Sequence, residues 1–164
     1  MYKILLFDDR PQVRISLEEK FMSAGMIVYS CRNVYEAKDK WNLYHSELNA
    51  IVIDMMMPSL GLDRKLRPQT KGGLLTGWVW LWSELNPNNE TMHPAKDKCI
   101  VVYSAYLKDF EAYIAGNHPS EEEKIFAKDV KRIEKGTSEN EDEVLDYLQQ
   151  DYNKRMHLKG IKVE

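Results

Sequence analysis

Short apolar runs alternate with amphipathic stretches along this 164-residue chain, and this alternation limits the fold more than any other feature. Four of the runs have the length of buried strands: Tyr2–Phe7, Met26–Cys31, Ala50–Met55 and Cys99–Ser104. The stretches between them carry apolar residues at helical spacing, as in Pro11–Ala24. Strands that alternate with helices predict a doubly wound α/β fold, in which a parallel sheet is covered by helices on both faces.

Further amphipathic segments complete this outline. We predict additional helices over 34–45, 77–85, 107–115 and 141–150. The segment 120–136 is harder to assign. Ser120 and Glu123 have the spacing of a capping box, which favours a short helix that begins there.

Polar side chains follow three of the predicted strands at the point where each strand ends. Asp8 and Asp9 follow the first strand, Asp54 lies at the end of the third, and Ser104 ends the fourth. The carboxyl ends of parallel strands meet at one edge of a sheet, so these side chains should lie together. Three carboxylates in one place repel each other unless a cation lies among them. Hard oxygen ligands of this kind favour Mg²⁺, and a carboxylate beside Mg²⁺ can form an aspartyl phosphate.

Four segments resemble, in the same order, the signature segments of response-regulator receiver domains. They are KILLFDDRPQVR with an acidic pair, IVIDMMMPSL with an aspartate and a Met-Pro turn, IVVYSAY with a strand-end hydroxyl, and RIEKGTSENEDEVL with a lysine before a helix. The resemblance runs from residue 2 to about residue 150. It implies a flavodoxin-like receiver fold with five parallel strands, and a phospho-accepting role in two-component or phosphorelay signalling.

The resemblance also implies a metal site with Mg²⁺ as the cofactor. Asp54 would be the phospho-acceptor and, together with Asp9, would bind Mg²⁺. The backbone carbonyl of Met56 would be a third ligand, and Asp8 would assist directly or through water.

A hydroxyl and a lysine would complete the implied site. Ser104 would bond a phosphoryl oxygen and move on activation, and Lys135 would pair with the phosphoryl group. Lys128, in IFAKDV, is the alternative site lysine, and its distance from Ser104 along the chain is closer to the usual pattern of the family. We favour Lys135, because Gly136 and the two hydroxyl residues after it lead into an acidic helix start.

The chain departs from the family pattern between the Met-Pro turn and Gly77. Eighteen residues, Ser59–Thr76, replace what is usually a short loop, and four of them are basic. This inserted loop either gates the site or binds a partner, or it is a tolerated surface insertion, since loop closure costs little more as length grows. It has few apolar residues, so we expect deletion of Gly61–Lys71 to leave the sheet intact.

Three tryptophans stand within five residues in the predicted helix 77–85. At helical spacing Trp78, Leu81 and Leu85 share one face, which predicts that this face packs on the core. Val79 and Trp82 should then lie nearer the helix exterior, unless the inserted loop or a partner covers them.

Length and charge limit the remaining interpretations. We expect a receiver domain over 1–150, with 59–76 as its inserted loop and 151–164 as a C-terminal helical extension or tail. No DNA-binding module fits after residue 150, and the net charge of −3 gives no reason to expect nucleic-acid binding. No apolar run is long enough to span a membrane, and we expect a cytoplasmic protein.

The implied partners are a sensor histidine kinase or phosphotransfer protein and an output protein that the sequence does not name. The chain would assist only its own phosphorylation and dephosphorylation, and would not be an enzyme in the usual sense. The alternative is a receiver-like interaction module that phosphorylation does not regulate. A haloacid-dehalogenase-like phosphatase needs a second aspartate two residues after its nucleophile, where this chain has Arg10 after Asp8 and Met56 after Asp54.

Overall fold

The computed structural model describes residues 1–88, 92–158 and 160. Five parallel strands form one sheet: β1 (Lys3–Phe7), β2 (Ile27–Cys31), β3 (Ala50–Ile53), β4 (Cys99–Ser104) and β5 (Lys131–Glu134). The strand order is β2-β1-β3-β4-β5. The predicted five-stranded, doubly wound α/β fold is therefore confirmed.

Six helices connect the strands in the described part of the chain. They are α1 (Pro11–Ser23), α2 (Val34–Tyr44), α3 (Thr76–Val79, continued by a π-helical turn over Trp80–Glu84), α4 (Leu107–Ala115), α5 (Glu121–Lys128) and α6 (Ser138–Leu158). None of the described helices is long and apolar enough to cross a membrane.

Local sequence signals account for the ends of several helices. Pro11 occupies the first turn of α1, where its missing N–H costs no hydrogen bond. Ser120 caps α5, because its hydroxyl accepts a hydrogen bond of 3.1 Å from the backbone N–H of Glu123. Helix α6 begins earlier than predicted and continues past residue 150 to Leu158. Residues 159 and 161–164 of the expected C-terminal extension lie outside the described residues.

The sheet separates two hydrophobic cores. Along β1, Leu5 and Phe7 point to the core that is shared with α2, α3, α4 and α5. Ile4 and Leu6 point to the other core, which is shared with α1 and α6. This alternation follows from the two-residue period of a strand, and it explains why the central strands β1, β3 and β4 carry apolar residues on both faces.

The inserted loop contributes to the core, although its few apolar residues predicted a surface segment. Leu62 and Leu75 are both buried, in the same core as residues of α2 and α3. Gly61 lies so close to α2 that an added Cβ would come within 2.9 Å of Val34 Cβ. A short 3-10 helix, Arg67–Thr70, gives the loop internal structure. Deletion of Gly61–Lys71 would therefore remove the buried Leu62 and leave Leu75 in place, and survival of the sheet after this deletion stays a prediction.

The helix with three tryptophans is buried on more sides than its periodicity predicts. Val79 and Trp80 are buried, and the Trp80 ring packs edge-on against Phe7 at a centroid distance of 5.4 Å. Trp82 is half-buried, because His93 stacks on it at 5.3 Å and Phe126 of α5 covers it at 5.3 Å. The expectation that Val79 lies near the exterior was wrong, since neighbouring segments cover the side of this helix that faces away from the sheet.

Gly77 allows the first turn of α3 to lie directly against the end of β3. A Cβ on Gly77 would be 1.9 Å from the backbone oxygen of Asp54, so no side chain fits there. The Gly77 N–H also donates a 3.0 Å hydrogen bond to the carbonyl of Met55. The helix is thus joined to the strand end that carries Asp54.

Gly77→Ala should lower the free energy of unfolding by about 3 kcal/mol or more, because the methyl group forces the helix away from the strand end. Gly136→Ala is the matched control, since an added Cβ at Gly136 meets nothing within 4 Å. That variant should equal the wild type or gain up to about 1 kcal/mol. Urea denaturation followed by circular dichroism measures both values, and equal stability of the two variants would contradict the packing argument.

Candidate phosphoryl-acceptor site

Four neighbouring strands bring the predicted site residues to one edge of the sheet. Phe7 of β1 pairs with Ile53 of β3, so Asp8 and Asp54 are the next residues on adjacent strands. Ser104 is the last residue of β4, and the N–H of Lys135, just after β5, donates a 3.1 Å hydrogen bond to the Ser104 carbonyl. The register of the sheet therefore gathers residues that are far apart in sequence.

Lys135 connects two of the carboxylates. Its Nζ lies 2.5 Å from Asp8 Oδ2 and 2.5 Å from Asp54 Oδ2. Ser104 Oγ donates a 2.7 Å hydrogen bond to Asp54 Oδ1. All four side chains are buried; Lys135 is 8% exposed and Asp54 is 3% exposed. Both oxygens of the Asp54 carboxylate therefore already have a positively polarised partner.

Backbone groups hold the two buried carboxylates in place. The N–H of Arg10 donates to Asp8 Oδ1 at 2.9 Å, and Arg14 Nη1 donates to the Asp8 carbonyl at 2.8 Å. The N–H of Met56 donates a longer hydrogen bond of 3.3 Å to Asp54 Oδ1. These contacts fix the orientation of the site before any ligand binds.

Burial affects the protonation of Asp8. Desolvation raises the pKa of the Asp8 carboxyl above its usual range, and repulsion from Asp54 acts in the same direction. The Lys135 ammonium opposes both effects by favouring the charged carboxylate. The charge state of Asp8 therefore depends on the ammonium that lies beside it.

A divalent cation fits the donor set. Asp8, Asp9 and Asp54 each offer a carboxylate oxygen, and these oxygens lie within 4.8 Å of one another. Asp9 is only half-buried, and its carboxylate has no partner among the described residues. Three carboxylates with one ammonium leave an excess of negative charge, which suits a hard cation such as Mg²⁺.

The predicted backbone ligand Met56 lies between two carbonyls that are already used. The Met55 carbonyl accepts from the Gly77 N–H, and the Met57 carbonyl accepts a 2.6 Å hydrogen bond from Thr76 Oγ1. In the described part of the chain no donor contacts the Met56 carbonyl. It is therefore available as a ligand.

The structure distinguishes the two candidate lysines by position. Lys128 is exposed at the end of α5, whereas Lys135 lies inside the acidic cluster. Thr76 fixes the segment after Asp54 through its hydrogen bond to Met57, a role that the sequence does not indicate because no local pattern links residues nineteen positions apart. The Tyr103 ring lies close to this lysine, with its centroid 5.7 Å from Lys135 Nζ.

Solved structures share this fold at low sequence identity. The receiver domain of a Francisella response regulator is 20% identical, with 94% of this chain and 99% of that chain covered and a TM-score of 0.55. TrrA of Thermotoga maritima, a response regulator solved in complex with Mg²⁺-BeF, is 19% identical, with 92% and 99% covered and a TM-score of 0.55. A structure of the histidine kinase ThkA in complex with TrrA matches at 20% identity, with 90% and 99% covered and a TM-score of 0.50.

No protein-family model matches the chain, and no curated protein matches it significantly. The structural similarities nevertheless agree over nearly the whole length of the chain. The protein is a doubly wound α/β domain with an acidic cluster at the carboxyl edge of its sheet. Its fold is that of response-regulator receiver domains.

Lys135→Met should lower the free energy of unfolding by about 3–5 kcal/mol, because it leaves two buried carboxylates without their counter-charge. Without the ammonium, burial and repulsion from Asp54 raise the pKa of Asp8 further, so the folded variant binds more protons than the unfolded chain. The loss should consequently be largest near neutral pH and shrink as the pH falls. Urea denaturation of each variant at about pH 7 and about pH 5 measures this.

Lys128→Met serves as the matched control, since Lys128 is exposed and makes no ion pair with a described residue. Its stability should stay close to that of the wild type at both pH values. If Lys135→Met were equally harmless, the ion pair would not be needed to hold the acidic cluster together.

Proposed function

We propose that the protein is a phospho-accepting receiver of a two-component or phosphorelay system, which is phosphorylated on Asp54 with Mg²⁺. The observation that carries the proposal is the Asp54 carboxylate, bonded by Lys135 and Ser104 and lying beside two further carboxylates. An ammonium and a hydroxyl around one carboxylate are suited to a phosphoryl group, because both can bond its oxygens.

The proposed reaction is an in-line displacement at phosphorus. An Asp54 oxygen attacks the phosphorus atom, the bond from phosphorus to the donor breaks, and the donor leaves with the bonding electron pair. Mg²⁺, held by Asp8, Asp9, Asp54 and the Met56 carbonyl, would supply positive charge to the transferring oxygens. Lys135 and Ser104 stabilise the product by bonding phosphoryl oxygens.

Phosphorylation changes hydrogen bonds that already exist in the protein. Ser104 Oγ now donates to Asp54 Oδ1 and also accepts a 3.3 Å hydrogen bond from the N–H of Tyr106. When Ser104 turns to a phosphoryl oxygen, the contact with Tyr106 at the start of α4 changes with it. Phosphorylation at Asp54 is thereby connected to the position of a helix at the surface.

The phosphodonor in this proposal is a histidine kinase or a phosphotransfer protein. Support comes from TrrA, which shares the fold and was solved in complex with a histidine kinase. The chain transfers no group to a substrate of its own, so its activity is limited to its own phosphorylation and dephosphorylation. Its output would be a change in binding to another protein.

Incubation with acetyl phosphate and Mg²⁺ should add the mass of one phosphoryl group, as measured by intact-protein mass spectrometry. Asp54→Asn should abolish the mass gain, because the nucleophile is gone. Asp9→Ala should abolish the part of the mass gain that requires Mg²⁺, because a ligand of the metal is lost. Asp39→Asn, an exposed change on α2, should label like the wild type. A wild type that neither gains mass nor binds beryllofluoride with Mg²⁺ would contradict the proposal and favour the interaction module.

The phosphoryl group should be long-lived. Two side chains near the site are partly exposed: Met56, two residues after Asp54, and Tyr106, two residues after Ser104. Neither side chain carries a carboxylate or amide that could orient a water molecule. Met56→Asn or Met56→Glu should speed phosphate release by about 10²-fold, because a positioned polar group is typically worth that much. Time-resolved phosphate release from the labelled protein measures the rates. Discharge of the wild type within seconds, or unchanged rates in the variants, would contradict this prediction.

A further inference from the structure

The inserted loop forms a basic surface on an otherwise acidic protein. We call residues 59–75 the basic loop; they are the inserted loop without Thr76, with which α3 begins. It contains four basic residues and one acidic residue, whereas the whole chain has a net charge of −3. The basic residues are Arg64, Lys65, Arg67 and Lys71. The proposed phosphorylation uses none of them.

Hydrogen bonds and buried side chains give the basic loop a defined shape. Its end is attached to the segment after Asp54 by a 3.1 Å hydrogen bond from the Met57 N–H to the Gly73 carbonyl. At its beginning, the Gly61 carbonyl accepts a 2.9 Å hydrogen bond from Lys38 Nζ of α2. Leu62 and Leu75 anchor the loop in the core. The basic side chains are therefore presented from a preorganised backbone, which lowers the entropy cost of binding.

Two charges at the tip of the basic loop are unpaired in the described part of the chain. Arg64 and Lys65 are exposed and make no ion pair in the part of the chain that the structure describes. Asp63, the one acidic residue of the loop, uses its carboxylate to accept a 2.9 Å hydrogen bond from the backbone N–H of Lys65. Unpaired cations on an ordered loop are free to pair with a partner.

Apolar side chains lie next to these charges. Leu60 is 61% exposed, and Tyr35 of α2 is 54% exposed. Gly61, the residue after Leu60, packs against the Tyr35 ring. A Cβ added to Gly61 would be 3.2 Å from Tyr35 Cδ2. This part of the surface therefore combines exposed apolar side chains with basic ones, which is a common composition of protein-binding sites.

We propose that the basic loop, together with Tyr35, is a docking surface for an acidic protein segment that also carries apolar residues. Charge complementarity selects an acidic partner, and the exposed Leu60 and Tyr35 favour a protein over a nucleic acid. Nucleic-acid binding typically needs a wider positive field than four residues on a chain of net negative charge. This function goes beyond phosphorylation of Asp54 and does not depend on it.

The position of the docking surface relates it to the acidic cluster. The basic loop begins five residues after Asp54, and both of its ends are bonded to α2 or to the Met55–Met57 segment. A bound partner consequently lies beside the opening of the acidic cluster. Long-range attraction between the loop and an acidic partner should also speed association.

The test measures binding of a fluorescently labelled amphipathic peptide, with glutamates on one helical face and leucines on the other, to the full-length, unphosphorylated protein. Arg64→Glu combined with Lys65→Glu should weaken binding about tenfold, and Leu60→Ser should weaken it as well. Neither Arg64 nor Lys65 contacts the core, so the charge variant should fold normally, which circular dichroism verifies.

Lys96→Glu combined with Lys154→Glu is the matched control, since it changes the charge equally at two exposed lysines far from the basic loop. This variant should bind the peptide like the wild type, and a peptide with lysines in place of glutamates should not bind. Equal affinity of the wild type and the Arg64/Lys65 variant would overturn the proposal. Tighter loop-dependent binding of single-stranded DNA or of phosphatidylserine vesicles would also overturn it, because the site would then recognise a different class of polyanion.

Discussion

The arrangement of the acidic cluster at the carboxyl edge of the sheet depends on the ion pairs of Lys135 with Asp8 and Asp54. Two buried carboxylates on adjacent strands repel each other, and the buried ammonium lies 2.5 Å from each of them. Within the described residues no other cation contacts either carboxylate. Because Lys135 follows β5, the interaction also connects the edge strand to the centre of the sheet. The carboxylate proposed as the acceptor is thus held in place by the residue proposed to bind its phosphoryl group.

The inserted loop and the helix that follows it lie close to this edge. The basic loop and α3 are bonded to the residues that directly follow Asp54, through Gly73, Thr76 and Gly77. Helix α5 covers Trp82 with Phe126, and it places the buried Glu123 carboxylate within 2.7 Å of Trp78 Nε1. A change at Asp54 and a partner on the basic loop would therefore act on one continuous set of contacts.

Much of the fold could be predicted from local pattern, because the responsible forces act over a few residues. Apolar runs identified the strands, Pro11 and the Ser120–Glu123 capping box identified helix starts, and the strand ends identified Asp8, Asp54 and Ser104. Burial in the inserted region was predicted poorly. An eighteen-residue loop with few apolar residues indicates a surface segment, yet its Leu62 is buried in the core. Val79, in the helix that follows the loop, is buried as well.

The sequence by itself determined the α/β class and the residues that end each strand, because the two-residue and 3.6-residue periods are properties of the local chain. It left Lys128 and Lys135 as alternatives, since both are lysines near a possible last strand. Only the tertiary structure decided which lysine lies beside Asp54, because that depends on the register of β5 against β4. It also decided that the basic loop is anchored, since hydrogen bonds such as that from the Met57 N–H to the Gly73 carbonyl form only when the chain has folded back on itself.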